Sequence, residues 1–184
     1  MMRSVLLALP LLAACVALPP GESAMLPRDA VIGAGDPART AVLTTSSVFQ
    51  ERAPAAGQPA AAARAIAQME FLAVDLPQNN AFTNASPNLP NQLAQARNEW
   101  RGVLGIAPGA SAQPVINALY AASRALEAGQ PDAAAAALPP ALFSRGGSAT
   151  LAQLNALPRM PNTAVAAATA QQALRTSNPS SSIL

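Results

Sequence analysis

Several residue types are missing or nearly so, and each gap closes off a class of chemistry. Lysine and histidine are absent, all eleven basic residues are Arg, and Cys15 is the only cysteine in 184 residues. Without His or a second Cys there is no Cys/His metal cluster, no Ser-His-Asp triad, no zinc-binding HExxH and no internal disulfide. Charged residues make up 11% of the chain and the formal net charge is +2. The Arg residues are spread singly, whereas a nucleic-acid binder needs clustered basic stripes interleaved with aromatics. Aromatics are only 3% of the chain, so any core has few large side chains. Gly102, Gly105 and Gly109 follow a helical stretch rather than a strand and do not form a phosphate-binding GxGxxG.

Catalysis would fall to carboxylates, Ser, Tyr or Arg. The acids stand apart. Glu70 and Asp75 lie on one helical stretch, Glu99 sits between Arg97 and Arg101, and Glu127 follows Arg124 at a spacing suited to a solvated i, i+3 pair. We therefore expect no enzyme, no metal and no cofactor. A hydrolase using Glu70 or Glu99 would need two carboxylates facing each other across a cleft. No acid follows Asp132, while Arg145, Arg159 and Arg175 do.

What is abundant is alanine, roughly a quarter of the chain. Alanine loses no side-chain entropy in a helix, and the β-branched and aromatic residues that strands favour are scarce. The fold expectation is all-α, a compact bundle of five to seven short helices with proline-marked turns.

The first fourteen residues have a short basic start at Arg3 and an apolar run from Val5 to Leu12. That run is too short to span a bilayer but matches the core of a secretory signal. It ends in Leu12-Ala13-Ala14-Cys15, which resembles the lipobox of bacterial lipoproteins at each position. The resemblance implies cleavage before Cys15, a diacylglycerol on its thiol and acylation of the new amine. Multiple acyl chains make such an anchor effectively permanent. Val16, rather than Asp, follows the cysteine, which in that family implies the periplasmic face of the outer membrane.

The chain then divides into a signal peptide at 1–14, a lipidated cysteine and flexible tether at 15–35, a helical domain at 36–176 and a tail at 177–184. Asp36 and Pro37 open a helix carrying Val42, Thr45 and Phe49 on one face, although its Thr and Val content leaves a strand open. Ala62, Ile66, Met69 and Ala73 mark one face of the next helix, widened by Phe71 and Val74. Residues 77–91 are rich in Asn and Pro and read as a loop. Leu93, Ala96, Trp100, Val103 and Leu104 line the next helix, with Gln95, Asn98 and Arg101 off that side. A helix capped by Ser111 runs to Gly129 with Val115, Leu119, Ala122 and Leu126 inward and Tyr120 half-buried. Its turn into Pro131–Leu138 is similar to the hairpin of tetratricopeptide repeats, but only one unit is visible, so an ordinary helical hairpin is expected. Ser148 and Asn162 are candidate caps of two last helices.

Together these features lead us to expect a membrane-anchored, periplasm-facing interaction or assembly module, held by acyl chains on Cys15 and binding an envelope protein partner but no nucleic acid. The surface expected to carry that partner is the Asn/Pro loop, through Asn79, Asn80, Phe82, Asn84 and Asn88. The alternative is a helical module binding a small apolar ligand in a cavity beside Trp100 or Tyr120.

Overall fold

Proline cannot donate an amide hydrogen bond but suits the first turn of a helix, where that amide has no partner. Among the described residues, five of seven α-helices begin this way. In the computed structural model, which describes residues 21–30, 35–50, 56–82 and 85–177, the helices are α1 (Pro37–Gln50), α2 (Pro59–Asp75), α3 (Leu89–Leu104), α4 (Ala112–Glu127), α5 (Pro131–Ala136), α6 (Gly147–Asn155) and α7 (Pro161–Ser177). Among the described residues there is no strand beyond one isolated bridge between Ile106 and Phe143. The fold is an all-α bundle, and the segment that sequence left between helix and strand is α1. Asp36 caps it as expected, its Oδ1 accepting from the Ala38 amide at 2.9 Å. No helix among the described residues is long and apolar enough to cross a membrane.

The centre is α2. Its alanines make it apolar on nearly every side, and a helix of that kind is covered all round. Ala62, Ala63, Ile66, Ala67, Met69, Phe71, Leu72 and Val74 are all buried. Its most extensive neighbour is α4, and α1, α3 and α6 complete the shell while α7 closes the far side against α1 and α3. Ser123 on α4 donates to the Ala60 carbonyl at 3.0 Å, fixing the α2–α4 register. Trp100 and Tyr120 are both fully buried, so Tyr120 lies deeper than its place beside the apolar stripe suggested. Its hydroxyl lies next to Gln68, but neither Tyr120 Oη nor Gln68 Oε1 has a well-formed hydrogen bond. Burial pushes the phenol above its ordinary pKa.

A carboxylate stands inside this core. Glu70 on α2 is 0% exposed and accepts from Trp100 Nε1 at 2.8 Å, Arg101 Nε at 2.7 Å, Arg101 Nη2 at 2.8 Å and Arg97 Nε at 3.0 Å. Arg101 is therefore buried, contrary to its expected place on the polar side of α3. It reaches across the helix because a buried carboxylate needs a charged partner, and its Nη1 also donates to the Ala110 carbonyl at 2.9 Å. Helix-surface spacing also misassigned Arg124 and Glu127. Glu127 pairs with Arg64 at 2.6 Å, and Arg124 turns to Asp29.

Two helix starts are completed by carboxylates from elsewhere in the chain rather than by local caps. Glu99 accepts from the Thr163 amide at 2.8 Å, Thr163 Oγ1 at 2.7 Å and the Asn162 amide at 3.2 Å, so a charge on α3 meets the positive end of α7. Glu22 does the same for α4 through the Ala112 amide at 2.6 Å. Ser111 holds the N-cap position but its side chain makes no capping bond. Ser148 lies inside α6, which starts at Gly147 after Gly146, whose φ of 77° suits a residue without a Cβ. Gly147 is required for another reason: a Cβ there would lie 1.9 Å from the Ala135 carbonyl oxygen.

Two substitutions test this account. Removing the charge of Glu70 leaves two guanidinium groups around a buried neutral amide, so Glu70→Gln is expected to cost about 3–5 kcal/mol in urea unfolding. Gly147→Ala forces α6 away from α5 and is expected to cost about 1–3 kcal/mol. A Glu70→Gln midpoint equal to that of the parent would show that the cluster does not hold the core.

Candidate functional site

From Leu76 to Ala96 the chain carries no charged residue. The first part of this stretch folds as two short 3-10 turns, Leu76–Gln78 and Asn80–Phe82. Asn79 joins them, its Nδ2 donating to Asp75 Oδ2 at 2.8 Å and its Oδ1 accepting from the Ala81 amide at 3.0 Å. This is a local turn bond of the kind Asn favours. Pro87 and Asn88 then turn the chain into α3, with Asn91 Nδ2 donating to Asn88 Oδ1 at 3.4 Å.

Between the two arms lies an open cleft of about 250 Å³. Leu76, Phe82, Leu89 and Leu93 form its apolar floor, Pro77, Pro87 and Pro90 its sides, and Gln78, Asn79, Asn80 and Ser86 its polar rim. None of these lining residues carries a titratable side chain. The cleft therefore offers hydrogen bonds and apolar contact but no proton transfer.

The structure gathers Asn79, Asn80 and Phe82 around this cleft. Phe82 is only 5% exposed, so it serves as floor rather than as a projecting anchor. Asn88 is exposed but does not line the cleft. Asn84 and Cys15 lie outside the described residues. Glu70 and Glu99 serve different helices and do not face each other across a cleft. No group of three metal-ligating side chains is found among the described residues.

Sequence reasoning missed the strap beside the cleft. Residues 15–35 read as a free tether because they are rich in Pro and Gly, yet Gly21–Ala30 lies along the bundle. Gln78 Nε2 donates to the Glu22 carbonyl at 3.2 Å, so the strap starts at the rim. The Glu22 carboxylate takes Arg97 Nη1 at 2.8 Å and Nη2 at 3.1 Å. The Gln113 side chain pairs with both backbone groups of Met25, at 2.7 and 3.1 Å. Asp29 accepts from Arg124 Nε at 2.7 Å. All of these bonds span more than fifty residues, so no local pattern could announce them.

Hydrogen bonds from Arg97 hold the Glu22 carboxyl below its ordinary value of 4.5, and those from Arg124 hold Asp29 below 3.8. Arg101 and Arg64 add to the positive field at the two sites. A carboxyl lowered in this way supports docking in full above its unfolded value, and the support is lost as pH falls through the folded value. Following the Ala112 amide by NMR from about pH 6 to about pH 2 is expected to give a transition midpoint below the ordinary carboxylate range. A midpoint at or above that range would contradict the charge-assisted contact.

No known protein family matches this chain, and neither the curated proteins nor the solved structures contain a similar one.

Proposed function

We propose that this protein is a lipid-anchored envelope protein that works by binding rather than by catalysis, tethered through Cys15 on the periplasmic face of the outer membrane. The observation that carries the reading is the leader, in which a basic start, a short apolar run and Leu12-Ala13-Ala14 precede the only cysteine. The cleft at residues 76–93 is the docking surface in this reading. Its rim amides give directional hydrogen bonds, its leucine and phenylalanine floor gives apolar contact, and its lack of charge selects an uncharged protein segment. Nothing in the reading calls for a metal or a cofactor.

A small apolar ligand is the second reading, and the same apolar floor favours it. The cleft volume of about 250 Å³ lies below the usual range of roughly 300–1,000 Å³ for small-molecule pockets, and the cleft is open. Both features suit a protruding segment of a partner better than an enclosed ligand.

The anchor has a direct test. Mass spectrometry of the membrane fraction is expected to find an acylated Cys15 as the first residue, and Cys15→Ser is expected to move the protein to the soluble fraction. A mature protein starting at any other residue would refute the anchor. For the docking surface, Asn80→Arg places a charge on the neutral rim. It is expected to weaken cross-linking to envelope partners at least tenfold without changing the unfolding midpoint.

A further inference from the structure

The strap is held differently from the rest of the fold. None of its described residues is fully buried, and Met25 is 73% exposed. Its attachment consists of three polar clamps, at Glu22, Met25 and Asp29, placed on α3 and along α4, together with Ala24, Leu26 and Ala30, which pack against the core while only partly buried. Exposed ion pairs contribute little individually, and segments with few buried apolar contacts open locally well before the whole domain unfolds.

Each bundle side chain that grips the strap also keeps a second partner. Arg97 bonds Glu70 at 3.0 Å, Gln113 Nε2 donates to Asn117 Oδ1 at 2.9 Å, and Arg124 lies over the Tyr120 ring at 5.7 Å. The Ala112 amide sits under Glu22 at a helix start and meets water once the strap lifts. Undocking therefore leaves no buried group orphaned, which is the usual cost of removing a segment.

The clamps also fix a direction. They run from Ala112 and Gln113 at the start of α4 to Arg124 near its end, so Gly21 enters the bundle at the pole that carries Gln78 and the cleft. Five residues, 16–20, separate Cys15 from Gly21, so the six steps between them span at most about 20 Å. If the strap is released, the fold still holds the chain at Asp36, the cap of α1. The chain from Cys15 to that point can reach about 70 Å.

We infer that the segment Gly21–Ala30 is a detachable latch: docked, it holds the cleft pole within about 20 Å of the anchored cysteine, and undocked, it lets the folded bundle stand off from the membrane and turn. The stand-off rests on the lipid-anchor reading, whereas the latch itself does not.

The experiment separates the two. In the Cys15→Ser chain at neutral pH, trypsin cleavage after Arg28 is followed by mass spectrometry in the parent and in a Glu22→Gln, Asp29→Asn double variant. The expected result is cleavage after Arg28 at least tenfold faster in the double variant, with cleavage after Arg97, Arg101 and Arg124 unchanged. An unchanged rate at Arg28 overturns the latch, and a parallel rise at the bundle sites overturns it by showing that the strap is part of the cooperative fold. A Met25→Cys, Gln113→Cys disulfide in the same chain is expected to suppress cleavage after Arg28 until it is reduced. No protection overturns the docked geometry.

The acylated chain is then placed in phosphatidylethanolamine/phosphatidylglycerol vesicles containing a dansyl-labelled lipid. Energy transfer from Trp100, the only tryptophan, is expected to fall in the double variant. Equal transfer in parent and variant overturns the stand-off. A chain that carries no acyl group refutes the anchor while leaving the cleavage result intact.

Discussion

The Glu70 carboxylate sets the terms for much of the bundle. A charge at the centre of an alanine-rich core is tolerated only if strong donors surround it, and here both oxygens are filled by two guanidinium groups and an indole N–H. These donors all come from α3, so α3 is held to α2 at a single register. Arg101 carries the constraint into the α3–α4 connection through the Ala110 carbonyl. Arg97 carries it outward to Glu22. One buried acid thus links the core, a loop and the strap. Apolar alanine contacts, which are small and similar to one another, could not specify that alignment on their own.

The surrounding core follows from side-chain size. Alanines at Ala62, Ala63, Ala67, Ala122, Ala166, Ala167 and Ala170 let helix backbones approach closely, and a handful of large residues, Trp100, Tyr120, Phe143 and Leu72 among them, fill the remaining volume. The α5–α6 approach at Gly147 takes the same logic to its limit, where even a methyl group would overlap backbone.

Much of the architecture was legible because its signals are local. Prolines at helix starts, Asp36 before Pro37, Gly129 after α4 and the apolar spacing of Leu93, Ala96, Trp100 and Leu104 all report on their own neighbourhoods, and the helices lie where those signals put them. The Asn/Pro loop was legible as a surface feature for the same reason, although the burial of Phe82 was not, since it depends on α7 packing against the Asn80–Phe82 turn. What could not be read was every contact between distant charges. Arg101 looked solvated because its helical face gives no sign of Glu70 thirty-one residues earlier, and the stretch around Glu22 and Asp29 looked like tether because its composition is that of tether. Local propensity reports the backbone a segment prefers, not the partner that captures it.

The two borrowed helix starts affect how the chain folds. When a helix carries its own cap, its first turn can form before the rest of the protein is in place. The start of α4 instead waits for Glu22, about ninety residues away, and that of α7 for Glu99 on α3. Because nucleating a helix is unfavourable without such support, these ends become secure only after the chain has assembled around them. Helix boundaries in this protein are therefore an outcome of tertiary assembly: the start of α7 is coupled through Glu99 to the all-or-none transition of the core, whereas the start of α4 follows the docking of the strap.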